Sequence, residues 1–292
     1  EKSIKKDLTI ERKELRKKGA VPDILLMSAT PIPRTLAISI YKDIDISFIK
    51  QKPEGRKPVV TDIVSFEDFD KLLAKVTKEL DKSRQAYFIC PKIAESETSQ
   101  KISVEEVYQL LKNKLKKSYT YTLLHGKMSE EEKNRTLQDF YTNKTQILIS
   151  TTVVEVGINV RNATVMVIMS ANAFGLAQLH QLRGRIGRDQ HQSYCFLVVD
   201  DIVDASDRLK IMKETDDGFL ISEYDLSIRG PGEVFGHIQS GIPEFKMANL
   251  INDSDILNQA LEDASEMVNL NDSQSKKLTL KAIKAIESYH LD

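Results

Sequence analysis

The 292-residue chain has no tryptophan, two cysteines, five histidines and only 7% aromatic residues. Two cysteines cannot build a disulfide scaffold. Both lie in apolar stretches, Cys90 in Ala86-Tyr-Phe-Ile-Cys and Cys195 in Tyr194-Cys-Phe-Leu-Val-Val, so buried free thiols are expected. The histidines, at 125, 180, 191, 237 and 290, are scattered. No Cys or His pair has zinc-ligand spacing, so no metal site is expected. No apolar run approaches the ~18 residues of a membrane helix. The first residues, Glu1-Lys-Ser-Ile-Lys-Lys, lack a signal-peptide core. A reducing, cytoplasmic location with no membrane contact is the resulting expectation.

Net charge is nearly absent too, at −1, but the charge is patterned. Residues 1–18 carry eight Lys/Arg against four Asp/Glu, and residues 244–292 carry five Lys against nine Asp/Glu. A nucleic-acid partner depends on such patterning rather than on the total. The two ends are not expected to share one surface.

Along the chain, residues 1–18 read as a basic helix or arm. Asp23-Ile-Leu-Leu-Met reads as a buried strand ended by Ser28-Ala-Thr-Pro-Ile-Pro, and residues 36–41 as a short helix. Gln51-Lys-Pro-Glu-Gly-Arg-Lys-Pro has the composition of a linker. After it, short apolar strands alternate with amphipathic helices. Strands are expected at 58–64, 86–90, 121–124, 146–150, 164–169 and 194–199. Phe69, Leu72, Leu73, Val76 and Leu80 share one helical face, as do Val104, Val107, Tyr108, Leu111 and Leu115. Ser129-Glu-Glu-Glu starts another helix with an N-cap and an acidic first turn. A further helix is expected at about 178–186 and another at 204–214. The alternation predicts an α/β domain with a parallel sheet. Residues beyond 214, with Arg229-Gly-Pro-Gly-Glu, Gly236 and Gly241, read as loop, and helical spacing resumes from about 250.

Four segments carry candidate chemistry. Gln181-Leu-Arg-Gly-Arg-Ile-Gly-Arg places three arginines among two glycines. Arg pairs with phosphate oxygens through a rigid fork, and glycine lets backbone approach a ligand. Arg185 and Arg188, three apart, would share a helical face and clamp a γ-phosphate; the plainer reading is a solvated basic helix end. Ser28-Ala-Thr follows a strand, where Ser28 and Thr30 would bond a phosphate or simply cap the turn. Thr151-Thr-Val-Val-Glu-Val-Gly-Ile-Asn offers paired hydroxyls for a nucleic-acid phosphate, or merely β-branched strand residues. His125-Gly-Lys127 is a strand end that would by itself be only a turn.

In this order and spacing the segments resemble the later motifs of superfamily 2 helicases: Ser28 to Thr30 motif III, Thr151 to Asn159 motif V, Gln181 to Arg188 motif VI. The chain resembles more closely the RecG branched-DNA helicases. Thr30-Pro-Ile-Pro-Arg-Thr-Leu-Ala, Gln178-Leu-His-Gln-Leu-Arg-Gly-Arg, Asp216-Asp-Gly-Phe, Ile228-Arg-Gly-Pro-Gly-Glu and Gln239-Ser-Gly-Ile-Pro-Glu-Phe carry that resemblance, over about 11–270. It implies a RecA-like parallel sheet with flanking helices as motor domain 2 over 56–205. Residues 1–50 would be the end of motor domain 1, 206–243 a translocation hairpin and loop, and 244–292 a helical tail. It implies Arg185 and Arg188 as arginine fingers with Gln181 beside the nucleotide, and Gly157, Asn159, Ser28 and Thr30 in the ATP cleft. Arg34, Gly126, Lys127, Thr151 and Thr152 would face DNA, and Arg208, Arg229 and Gln239 would couple motor closure to movement. Asn159 replaces the acidic residue usual in motif V, Arg161 replaces a proline, and Met169-Ser-Ala-Asn-Ala lacks the charged residues usual before Phe174-Gly-Leu.

A helicase motor also needs a Gly-x-x-x-x-Gly-Lys cradle and an acidic Mg²⁺ site. No glycine here is followed five residues later by Gly-Lys, and no Asp-Glu pair ends a suitable strand. The expectation is therefore half of a monomeric helicase that remodels branched DNA with ATP and Mg²⁺. It would need its amino-terminal half and be inactive on ATP alone. The alternatives are a fragment of a transcription-repair coupling factor and a non-catalytic DNA-binding or regulatory module.

Overall fold

The computed structural model describes residues 25, 27, 47–49, 55–91, 102–151, 160–200, 207–235, 253–270 and 272–289. The expected elements at 1–18 and 36–41, and the candidate residues Ser28, Thr30, Arg34, Thr152, Gly157, Asn159 and Gln239, lie outside the described residues. Contacts divide the chain into residues 1–30 and 31–292. In the first unit the described residues are Leu25 and Met27, at 81% and 86% exposure and outside any strand. At these two positions the structure departs from the buried strand expected over 23–27, whose other residues lie outside the described ones.

Among the described residues of the second unit, six parallel strands form one sheet. These are β1 (Val60–Ser65), β2 (Gln85–Ile89), β3 (Tyr121–Leu124), β4 (Ile147–Ser150), β5 (Ala163–Ile168) and β6 (Tyr194–Val199), ordered β1-β6-β5-β2-β4-β3. Between them run α1 (Phe69–Leu80), α2 (Val104–Lys114), α3 (Glu130–Tyr141) and α4 (Leu176–Arg183). The central strands β2, β4, β5 and β6 are buried on both faces, which is why they read as continuous apolar runs, while the edge strands β1 and β3 are only partly buried. Alternate side chains feed two cores. Ala86, Phe88, Ile147, Ile149, Val165 and Val167 meet α1 and α2 through Leu72, Val76, Val107 and Leu111. Tyr87, Ile89, Leu148, Met166, Cys195 and Leu197 meet Phe140 of α3 and Leu176, Leu179 and Leu182 of α4.

Local chemistry fixes the helix starts. Ser103 and Glu106 form a reciprocal capping box on α2, and Ser129 and Glu132 form another on α3. Asn162 pins the entry to β2: its side-chain amide donates to Ser83 O at 2.8 Å, and its Oδ1 accepts from Arg84 Nη1 at 2.8 Å.

Beyond the sheet come α5 (Asp207–Glu214), α6 (Gly218–Phe235), α7 (Ser254–Asn269) and α8 (Ser273–Tyr289). Helices α5 and α6 pack on α4 and on each other. Leu209, Met212 and Ile221 extend the second core. Asp272 caps α8 by accepting from the backbone amides of Gln274 and Ser275, both at 2.8 Å.

Helix α6 corrects the loop expected around Arg229: its backbone stays helical through Gly230-Pro-Gly232. Pro231 removes one amide donor, yet the residue before it is glycine, which has no Cβ to crowd the proline ring. The preceding turns are anchored by buried Ile221 and Leu226.

Candidate functional site

Two groups of candidate residues occupy opposite ends of the strands. At the carboxyl edge, β3 ends in a turn holding Gly126 and Lys127, both exposed. Beside it, Thr151 closes β4, its amide donating to Leu124 O at 3.3 Å. Gly126 has open space where a Cβ would stand, and the turn leads directly into the capped α3. Exposed backbone and hydroxyl groups there suit a sugar-phosphate chain.

The arginine segment lies at the other end. Helix α4 carries half-buried Gln181 on its last turn and stops at Arg183. The expected shared helical face for Arg185 and Arg188 is therefore corrected. Both follow the helix, in the loop leading to β6. Past the Gly184 cap, Gly187 adopts φ +70°, a left-handed conformation costly for other residues, and turns the loop toward β6. The loop instead joins the arginines by a turn: Arg188 Nε donates to Gly184 O at 3.0 Å. Gly187 lies against Val59, whose Cγ2 is 2.8 Å from where a Cβ would stand. Gln192 Nε2 reaches Pro58 O at 2.8 Å. The loop thus sits at the amino ends of β1 and β6, which pair from Val60 and Tyr194.

The guanidinium groups of Arg56, Arg185 and Arg188 cluster there, and the one acidic neighbour in the loop, Asp189, has its Oδ2 3.9 Å from His191 Nε2. Burial holds the Arg188 pKa below its ordinary value, and the neighbouring guanidinium groups of Arg185 and Arg56 push the same way. Beneath the loop, burial raises the phenol pKa of Tyr87 while Arg185 and Arg188 oppose the rise. Cations pressed together across a partly buried surface form a site for an anion. Arg56 and Tyr87 were passed over in the sequence. Arg56 sits in a stretch that reads as linker, and Tyr87 in one that reads as plain core. No periodicity marks either as a neighbour of residue 188.

The remaining candidates lie on the helical module. Arg208, on the first turn of α5, donates from Nη2 to the backbone carbonyl of Asn172 at 2.9 Å. Asn172 belongs to the segment that lacks charged residues, and it supplies a neutral acceptor there. Arg229 lies on the α6 backbone. For Mg²⁺ the fit is poor: among the described residues no three His, Cys, Asp or Glu side chains form a metal-holding group. The arginine loop itself would repel a divalent cation.

Comparison with known proteins follows this division. Residues 66–190 match the Helicase conserved C-terminal domain family. Residues 215–285 match the family described as ATP-dependent DNA helicase RecG, domain 3, C-terminal. The chain is 49% identical over 259 residues to ATP-dependent DNA helicase RecG of Bacillus subtilis, covering 88% of this chain and 38% of that protein. The chain belongs to the RecG family. RecG of Staphylococcus epidermidis is 48% identical over 260 residues, with the same coverage of 88% and 38%. A solved structure of RecG bound to a three-way DNA junction matches with TM-score 0.64 and 43% identity, over 82% of this chain and 31% of that one. The chain thus spans about two fifths of the length of the curated RecG relatives it matches. Among the described residues no helix is long and apolar enough to cross a membrane.

Proposed function

We propose that this chain is the second motor unit of an ATP-dependent, branched-DNA helicase together with the helical module that follows it. Residues 1–50 belong to the preceding motor unit, 56–205 form the RecA-like unit, 206–243 the translocation module and 244–292 the tail. The observation that carries the reading is the cationic loop of Arg185 and Arg188 at the amino ends of the strands, with Gly126, Lys127 and Thr151 at the carboxyl ends. Strands of four to six residues at about 3.3 Å each separate the two by roughly 13–20 Å. One sheet can then hold a nucleotide at one end and a DNA strand at the other.

In this mechanism Arg185 and Arg188 neutralise charge that develops on the transferred phosphoryl oxygens, with Gln181 beside them. Gly157, Asn159, Ser28 and Thr30 take part in ATP binding. Arg34, Gly126, Lys127, Thr151 and Thr152 grip the DNA backbone. Arg208, Arg229 and Gln239 pass closure of the cleft to the helical module. A phosphate cradle and an acidic metal site come from the amino-terminal part of the protein, because the residues described here do not suit Mg²⁺. The whole works as a cytoplasmic monomer.

The test is Arg188→Ala in a full-length RecG-family helicase carrying this chain. DNA-stimulated ATP turnover should fall by about 10³-fold or more, while forked-DNA binding without nucleotide stays unchanged. Normal turnover would remove Arg188 from the finger role.

A further inference from the structure

The third arginine of the loop segment behaves differently from the other two. Arg183, the last residue of α4, is 4% exposed. Its Nη1 donates to Met212 O at 2.6 Å and to Thr215 O at 3.0 Å, and lies 3.4 Å from Thr61 Oγ1 on β1. Met212 and Thr215 form the carboxyl end of α5, where helix carbonyls lack intrahelical donors and carry partial negative charge. The guanidinium caps that end. Burial lowers the Arg183 pKa, while the carboxylate of Asp216 acts to keep it charged. Nη2 is buried without a hydrogen-bond partner. A buried cation with an unsatisfied donor is an expensive way to fill a core. An apolar side chain of similar length would pack there at lower cost.

What the arrangement gains is a mechanical connection. Thr215 Oγ1 accepts from the Asp217 amide at 3.0 Å, and Asp217 Oδ1 accepts from the Phe219 amide at 2.8 Å. These bonds form the turn that starts and aims α6. Phe219 in turn meets Phe48 edge-to-face, with ring centroids 5.6 Å apart. Arg183 is thus tied to the α5–α6 turn through its side chain. Through the backbone it stands two residues from both Gln181 and Arg185. A helix end is stiff over so short a span. A shift of the arginine loop onto a phosphate must rotate the last turn of α4, and the pair of bonds from Nη1 carries that rotation to the α5–α6 turn.

We propose that Arg183 is a positioning residue which links the arginine loop to the α5–α6 turn, and is not a third phosphate ligand. The inference rests on the proposed helicase reading. Lysine at this position keeps the charge, but its Nζ stands one atom nearer the backbone than Nη1 and so falls short of the two carbonyls that Nη1 joins.

The experiment uses the full-length helicase carrying this chain, with Arg183→Lys compared against Arg188→Ala. For Arg183→Lys we expect ATP turnover and KM for ATP to stay within about twofold, while base pairs unwound per ATP fall by about fivefold or more. Amides 217–223 should exchange faster, with sheet amides unchanged. If Arg183→Lys loses turnover as Arg188→Ala does, Arg183 acts on the nucleotide and the proposal is overturned. If coupling is unchanged in a folded variant, the contact is structural filling and the proposal is equally overturned. Should the variant not fold, the wild-type protein decides. A non-hydrolysable ATP analogue with forked DNA must alter exchange at 217–223, and no change there overturns the link. Arg188→Ala with normal turnover would instead sink the helicase reading, so the two failures are distinguishable.

Discussion

Gly187→Ala is the substitution whose cost can be worked most fully from the structure. Gly187 has φ +70°, and an added Cβ would stand 2.8 Å from Val59 Cγ2. The left-handed conformation costs a non-glycine residue roughly 1–2 kcal/mol. Relieving the contact requires Val59 to leave its rotamer, at about 0.5–1.5 kcal/mol. Backbone retreat is restricted, because the loop is tied down at Gln192 and Pro58 and then enters the β1–β6 pairing. The expected loss is about 2–3 kcal/mol. Urea unfolding of the chain, followed by circular dichroism, measures it. The double variant Val59→Ala, Gly187→Ala should recover the contact part, with a coupling of about 1 kcal/mol, and leave the conformational part. Gly184→Ala is the control. Its φ is −66° and the nearest atoms to an added Cβ are backbone oxygens at 3.4 Å, so a change within about 0.5 kcal/mol is expected. If Gly187→Ala costs no more than the control, the loop is not held as described, and the placement of Arg185 and Arg188 loses its basis.

Burial pushes the thiols of Cys90 and Cys195 up to about 12. Neither should react with a thiol reagent at neutral pH in the native chain, and both should react in denaturant; rapid native labelling would show that the sheet opens. Removing the caps by Ser103→Ala or Ser129→Ala should cost about 1 kcal/mol each in thermal or urea unfolding, and no loss would mean the boxes do not form in solution. Hydrogen bonds from the Ser103 and Ser129 amides and hydroxyls hold Glu106 and Glu132 below the usual carboxylate range. Their stabilisation is present above the ordinary glutamate pKa and is lost as pH falls through the depressed value. Glu106→Gln with Glu132→Gln should therefore flatten the acid side of the stability profile, and an unchanged profile would count against both boxes.

The sheet was readable in the sequence because each central strand is buried on both faces and so appears as an unbroken apolar run. The helix starts were readable where one residue type does one job, as at Ser129. The arginine segment was readable in composition but wrong in geometry. A helical face for Arg185 and Arg188 requires the helix to continue, but α4 ends at Arg183, and Gly187 beyond it takes a positive φ that no helix holds. The second glycine, Gly184, turned out to have an ordinary helical φ of −66°. Around Arg229 the local breakers suggested a loop, yet packing of Ile221 and Leu226 carried α6 through Pro231. In the segment expected as a strand at 23–27, Leu25 and Met27 are exposed and outside any strand, so an apolar run alone did not decide the structure there. Roles such as those of Arg56 and Arg183 depend on long-range neighbours that no local pattern encodes.

The central claim is that this chain holds the arginine side of a nucleotide site and not its phosphate cradle. The most direct test is Mg²⁺-dependent ATP hydrolysis by the chain with forked DNA, first alone and then with a RecG amino-terminal half added in trans. The account predicts no turnover alone, and DNA-stimulated turnover with the added half that disappears in Arg188→Ala. DNA-stimulated turnover by the chain alone would contradict it.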